Sequence, residues 1–391
     1  MRPSYATSLV LALTAPFALT PAAFGAAPGI AANVTASAVQ QASVIPAVGI
    51  SYDGLHMAVI AHGHGQRELT LANGTGNSAR LVTLPGPCPP SSLHWAPRWN
   101  QLAVITQCGD GSAAHGAIWL LDVHAGTPPT RLLDISGEAE APQWTSDAKR
   151  IVFLYRSRTA ANHAVAAVAT TGGTPQILTP PALDVHQFHV SHWGAMLAFT
   201  ATAAKAPAEV PALFVQKADA GAAPQLLFNP DTAGGPLHDL AVSVPRWSYF
   251  NGSLVFIGRP AQASATGGGD LYVIGSGGGM PINLTVNKRI KPTWFRFHHG
   301  RVIATQVAGG QTQVVVYRMH RTWARQTALL FSIPGTITDG RAPGGVSMSW
   351  YGGRSRMAFF QRPTAAGAAV LRAGLIGTQP PPEVAMADTS R

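Results

Sequence analysis

Charge is scarce in this chain. Only 11% of its 391 residues are Asp, Glu, Lys or Arg, and just 17 are acidic. That argues against a paired-carboxylate acid–base site, since Asp239, Asp270 and Asp339 stand isolated beside glycine-rich stretches and read as turn residues. Cysteine occurs twice, too rarely for a disulfide-dense scaffold or a thiolate zinc cluster. No P-loop, no dinucleotide-binding glycine pattern and no H-E-x-x-H occurs. No Gly-x-Ser-x-Gly nucleophile elbow occurs either. Gly345-Val-Ser-Met-Ser349 comes nearest and lacks the second glycine. Past residue 25 no apolar run reaches the roughly 20 residues that span a bilayer.

Glycine (41) and proline (31) are plentiful instead. Both suit short strands joined by turns and disfavour long helices. The formal charge is +10, which admits an anionic partner. The densest basic run, Lys288-Arg289-Ile290-Lys291, is too sparse to specify nucleic acid. Residues 1–25 read as an export signal: Arg2, then the apolar Leu9–Leu19, then Ala23-Phe-Gly25 before Ala26. An uncleaved anchor is the alternative, disfavoured by Pro16 and Pro21. The expected location is therefore periplasmic or secreted, with no transmembrane span once the signal is removed. Residues 26–44 form a lead-in segment.

From residue 45 the chain repeats. An anchor residue, a polar turn and an apolar strand recur at Ile50–Val59, Trp95–Val104, Trp144–Phe153, Val190–Phe199, Trp247–Phe256, Trp294–Ile303 and Trp350–Phe359. Successive anchors are 45, 49, 46, 57, 47 and 56 residues apart. Each copy goes on to a third strand such as Ile118–Asp122 or Leu271–Ile274, a glycine turn, and a fourth strand such as Pro175–Thr179. Four short strands per unit of this length describe a propeller blade. The expected fold is all-β, a single β-propeller over 45–391 with seven four-stranded blades, six or eight if a terminal repeat is miscounted. Trp95, Trp144, Trp247, Trp294 and Trp350 are the expected structural anchors between blades. A ring of ligand-stacking aromatics is the alternative.

If the hairpin of the second repeat turns near Trp99-Asn100, Cys88 and Cys108 come opposite each other. A disulfide then forms in an oxidising compartment, and two unpaired thiols remain otherwise. The segment His186-Gln-Phe-His189-Val-Ser-His192 and the pair His62 and His64 raise the question of a metal. Strand alternation sends His186 and His189 to opposite faces. His189 and His192 are therefore weak metal candidates only, and no cofactor is expected. His298-His299 falls in the turn of the sixth repeat.

The pattern W-[ST]-x-D-x-x-x-I-x-F, then a strand, then G-G-x-P-x-x-L-T, resembles the WD-like repeat of TolB-like proteins. It is similar as well to the N-terminal propeller of prolyl-oligopeptidase-family serine peptidases. Trp144–Phe153 with Gly172–Thr179, and Asp270–Ile274 with Gly278–Thr285, carry the likeness best. The resemblance implies a propeller and leaves function open, because propellers host many activities. TolB carries an α/β domain before its propeller, and the peptidases carry a hydrolase domain after theirs; neither pattern stands here. Three readings follow. The first is an exported, non-catalytic, monomeric propeller that binds a protein, peptide or glycan. The second is a stand-alone or truncated peptidase propeller. The third is an enzyme with its site in the channel.

Overall fold

A computed structural model of the chain describes residues 47–391 apart from 64, 75–78, 99, 124–125, 194–195, 205–209, 244, 249–250, 261–267, 286–291, 299–300, 320–323, 338–345, 350–355, 363–369 and 376–391. The expected signal (1–25), the lead-in (26–44), the basic run 288–291, His64, His299, Asp339 and Trp350 all lie outside the described residues.

The anchor turns show why these residues start blades. After Trp144, the Thr145 hydroxyl donates to Asp147 Oδ1 (2.6 Å) and accepts the amide of Arg150 (3.1 Å), while Asp147 Oδ1 accepts the amide of Lys149 (3.1 Å). Ser51 and Asp53 repeat the device in the first blade. A hydroxyl and a carboxylate two residues apart thus satisfy the turn amides and launch the next strand. A threonine two residues past the fourth strand serves a similar purpose. Buried Thr179 and Thr285 accept the amides of Val165 and Leu271 (2.9 and 3.0 Å).

Each blade is an antiparallel meander. The first runs Ala47–Ile50, His56–Gly63, Gln66–Asn73 and Arg80–Val82. The second begins Pro90–Trp95, Gln101–Cys108, His115–Asp122, and its outer strand is the first part of Thr130–Trp144. The second part of that 15-residue strand is the inner strand of the third blade, ahead of Arg150–Ser157, Ala164–Ala169 and Gln176–Ile177. One hydrogen-bonded sheet therefore contains two blades. The strand turns the corner at Gly137, whose φ is 137° and where a Cβ would sit 2.1 Å from the Arg156 carbonyl oxygen. Only glycine fits there.

The fourth blade is Leu183–Val190, Met196–Ala203, Ala212–Lys217 and Gln225–Phe228. In the fifth, the inner strand is split into Leu240–Val242 and Arg246–Trp247, followed by Ser253–Pro260, Asp270–Gly275 and Ile282–Asn283. The sixth is Pro292–His298, Arg301–Ala308, Gln311–Met319 and Ala324–Pro334. The seventh again splits its inner strand, Thr336–Ile337 and Val346–Ser349, beside Arg356–Arg362 and Val370–Leu375.

The core lies between blades. Seven apolar clusters each join two consecutive blades. Leu69 and Trp95 share the first, Ile118 and Trp144 the next, then Val165 with Phe188, Val215 with Trp247, Leu271 with Phe295, and Ile333 with Phe359. The last cluster returns Val48, Ile50, Met57 and Val59 of the first blade to Ala358 of the seventh. The chain is an all-β propeller. Among the described residues the first blade meets the seventh by side-chain packing and not by strand pairing. Among the described residues no helix is long and apolar enough to cross a membrane.

Register alters the reading of the sixth repeat. In five blades the anchor faces the first buried residue of the second strand across a six-residue turn, as Trp95 faces Leu102 and Trp247 faces Leu254. In the sixth, Phe297 faces Val302 in that position, and Trp294 lies three residues earlier, opposite Thr305. The hairpin is two residues shorter, and that shifts the anchor.

Candidate functional site at the channel

One register position recurs around the ring, just before the residue that faces the first buried residue of the second strand, which is Phe297 in the sixth blade and Met348 in the seventh. Gly49 faces Ala58, His94 faces Ala103, Gln143 faces Val152 and His189 faces Ala198. Arg246 faces Val255, Arg296 faces Ile303 and Ser347 faces Ala358. Anchors pack toward the preceding blade, so alternation turns the residue before them the other way, at the innermost edge of the sheet.

Electrostatics shows where these side chains meet. The charges of Arg296 and Arg246 act on His94, and those of Arg246, His94, Arg296 and His192 act on His189. His94 belongs to the second blade and the arginines to the fifth and sixth. Residues of non-neighbouring blades reach each other only across the central channel. Burial, then Arg296, then Arg246, lower His94 to about 4. Burial followed by the same two guanidiniums and the neighbouring imidazoles hold His189 well below the ordinary histidine value. Burial, then Arg296, lower Arg246 to about 10, and burial lowers Arg296. His94 and Arg296 nevertheless keep open surface, and His189 and Arg246 keep some. Both facts hold for a side chain in a narrow tunnel, where water enters but bulk solvent does not.

The channel is therefore electropositive and carries neutral histidines beside charged arginines. Among the described residues no carboxylate pairs with Arg246 or Arg296. The Nδ1 atom of His189 is buried and has no hydrogen-bond partner among the described residues. Gln143, the corresponding residue of the third blade, clasps the strand that carries His189. Its Nε2 donates to the Phe188 carbonyl (3.0 Å) and its Oε1 accepts the Val190 amide (3.0 Å).

Several expected site residues fall elsewhere. His189 lies in this cationic ring, which repels a metal ion. His192 stacks edge-on against exposed Trp193, with ring centroids 5.7 Å apart, on the turn that follows. Among the described residues the one His/Cys/Asp/Glu grouping tight enough for an ion is Cys88, Cys108 and His115, and its two sulfurs are bonded to each other. The Cys88 and Cys108 Cα atoms are 5.0 Å apart. His186 is the extra residue of a bulge between Val185 and Gln187, and its Nε2 lies 3.1 Å from Thr202 Oγ1. The bulge breaks the simple alternation that would oppose it to His189. His62 sits in the second strand of the first blade, and His298 pairs with Arg301 at a strand end. Asp239 does occupy a turn, at φ 56°. Asp270 does not. It opens a strand opposite Gly258 and accepts hydrogen bonds from Thr285 Oγ1 (3.0 Å) and Asn283 Nδ2 (3.1 Å).

Trp95, Trp144 and Trp247 are all buried between blades. Sequence reasoning found these anchors and missed the residue beside them. Aligning the positions before Trp95, Val190 and Trp247 would have shown His, His and Arg.

No family model matches this sequence, and no curated protein matches it. Solved structures do match the fold. The β-propeller domain of the trilobed protease from Pyrococcus furiosus aligns with TM-score 0.54 and 10% identity, over 84% of this chain and 95% of that one. Prolyl oligopeptidase B from Galerina marginata aligns with TM-score 0.56 and 11% identity, over 90% of this chain and 52% of that one. This chain thus spans about half the length of that peptidase. TolB from Acinetobacter baumannii aligns with TM-score 0.43 and 14% identity, over 84% of this chain and 76% of that one.

Proposed function

We propose that this chain is an exported recognition propeller that binds a protein, peptide or glycan in the cell envelope and performs no chemistry on it. The observation that carries this reading is the channel ring. Half-buried Arg246 and the more open Arg296 stand beside each other without a carboxylate partner among the described residues, so their charges repel uncompensated. A fold keeps such groups where a ligand completes them. Because every blade runs outward as the same antiparallel meander, the described turns after the inner strands share one face of the ring. That face also carries exposed Tyr52, Leu55 and Trp193, apolar area suited to a partner's surface. Export is supported by the signal-like residues 1–25 and by the disulfide-bonded cysteines.

The test is a paired assay on residues 26–391. Saturable binding to one member of a peptide or glycan array, lost in an Arg246→Gln/Arg296→Gln variant, supports the reading. Turnover of dipeptidyl or aminoacyl chromogenic substrates above a heat-killed control overturns its non-catalytic part.

A second reading has one specific observation behind it. The chain matches the peptidase over 90% of its own length and 52% of the peptidase's. On this reading it serves as the gating propeller of a prolyl-oligopeptidase-type hydrolase domain. Co-purification of a hydrolase-fold polypeptide whose peptide cleavage depends on this chain would favour it over the first.

A further inference from the structure

The channel ring also points to a chemical class of ligand. Arg246 and Arg296 stand at the same register position on neighbouring blades. His94 and His189 are close enough for the arginine charges to act on both. All four hold the same inner-strand register position, and no carboxylate pairs with the arginines among the described residues. The His189 Nδ1 atom is enclosed by protein and unpartnered. A buried polar atom with no protein partner is free to meet a water or a ligand group, and this one lies beside the two guanidiniums. A tunnel holding two guanidiniums and two imidazoles offers hydrogen-bond donors and no fixed negative charge. The two guanidiniums disfavour metal ions and ammonium groups and favour an oxygen-bearing anion.

We propose that the central channel is an oxyanion site, taking a carboxylate or phosphate group between Arg246 and Arg296 with His189 and His94 beside it. This rests on the reading of the channel as the place where the partner is recognised, and names the group the partner must present. A carboxylate comes from an acidic peptide or an acidic sugar, and a phosphate from a phosphorylated envelope polymer or the free ion. The guanidiniums grip two oxygens of either group in the same plane. As the anion enters, it offsets the arginine charges that disfavour histidine protonation. The charges that act on His189 are those of Arg246, His94, Arg296 and His192, none of them acidic. The anion therefore supplies the one negative charge in the ring, and binding draws a proton onto a channel histidine.

The test uses residues 26–391 with citrate as the carboxylate probe and inorganic phosphate as the phosphate probe. Calorimetry is run at low salt, at about pH 6 and about pH 7.5, on either side of the ordinary histidine value. The expected result is saturable one-to-one binding of at least one probe, tighter at the lower pH. It weakens about tenfold or more in Arg246→Gln/Arg296→Gln, as loss of charged hydrogen bonds requires. Arg131→Gln, exposed on the outer strand of the second blade, leaves it unchanged. Citrate alone binding assigns the carboxylate source, phosphate alone the phosphate source, and both a general oxyanion site.

Should the double variant fail to fold, the wild-type His189 ring resonances serve instead. They shift on probe addition while those of His115, exposed on the second blade, stay fixed. Silence from both probes overturns the proposal, as does equal binding by the double variant or His189 resonances that do not move. Partner binding that survives when both probes are silent removes this inference alone. Probe binding without any array partner removes the recognition reading and leaves the oxyanion site standing.

Discussion

The indole Nε1 of Trp247 donates a hydrogen bond to the backbone carbonyl of His189, 3.2 Å away across the gap between the fourth and fifth blades. Trp144 Nε1 does the same to the carbonyl of His94, at 2.9 Å. Each anchor therefore fills an interblade space and also fixes the strand that places a channel histidine. Packing and ligand geometry are coupled through one bond.

Trp247→Phe removes that bond and keeps most of the apolar volume. It should cost about 1 kcal/mol for the hydrogen bond plus a small packing loss. Trp247→Ala should cost about 3 to 5 kcal/mol, as for other large aromatics truncated in a core. Urea unfolding of the two variants checks both values. A Phe variant as damaged as the Ala variant would show that the bond, and not the volume, holds the blades.

Gly49 is the channel-position residue of the first blade, and space forbids anything larger. A Cβ there would lie 2.6 Å from Leu93 Cδ1 and 2.9 Å from Trp95 Cδ1. Gly49→Ala should destabilise the protein by about 1 to 3 kcal/mol through overpacking. A melting temperature unchanged from wild type would contradict that packing. The Trp95 Nε1 atom, buried and without a partner among the described residues, lies 3.2 Å from the same point.

Acid should weaken the fold through the channel histidines. His94 is held at about 4 against an ordinary 6.5, and His189 is lowered as well. Below pH 6.5 the unfolded chain binds protons that the folded chain refuses. The contribution of these groups is therefore complete above pH 6.5 and is lost as pH falls through the folded values. The arginines keep their charge throughout that window. Denaturant midpoints measured from about pH 7.5 to about pH 4.5 should fall, and fall less steeply in His94→Gln. Saturating oxyanion should flatten the wild-type slope, because it favours the protonated imidazole.

Reducing the Cys88–Cys108 bond should cost roughly 3 kcal/mol in the chain-entropy account, given its separation of 20 residues. Calorimetry with and without a phosphine reductant measures this. The bond ties the lead into the inner strand of the second blade to the far end of the next strand. Its loss should lower stability and leave the channel resonances in place.

The blades were legible because their punctuation is chemical. Thr145 and Asp147 of the anchor turn, and Thr179 and Thr285 past the fourth strands, each satisfy named amides, so they recur at fixed spacing. The sixth anchor was misplaced because spacing was counted through a hairpin that is two residues shorter, and Phe297 holds the position assigned to Trp294. The channel was not legible. Its positions carry Gly49, His94, Gln143, His189, Arg246, Arg296 and Ser347, a set with no shared chemistry and hence no pattern. Register gathers all seven, whereas the sequence alone offers only the His, His and Arg before Trp95, Val190 and Trp247. His189 drew notice beside His186 and His192, close in sequence, whereas its partners lie 95 residues before it and 57 and 107 residues after it.

The ring position has one more consequence. Each blade contributes a single letter to the lining of the tunnel, and that letter is separate from the anchor that holds the blade in place. The propeller therefore behaves as a barrel lock in which some tumblers are fixed and others turn. Gly49 is fixed by Leu93 and Trp95 beside it, and Gln143 by its two bonds to the next blade. At the remaining positions one exchange resets the charge of the bore at one point, so binding preference can drift or be engineered there one repeat at a time.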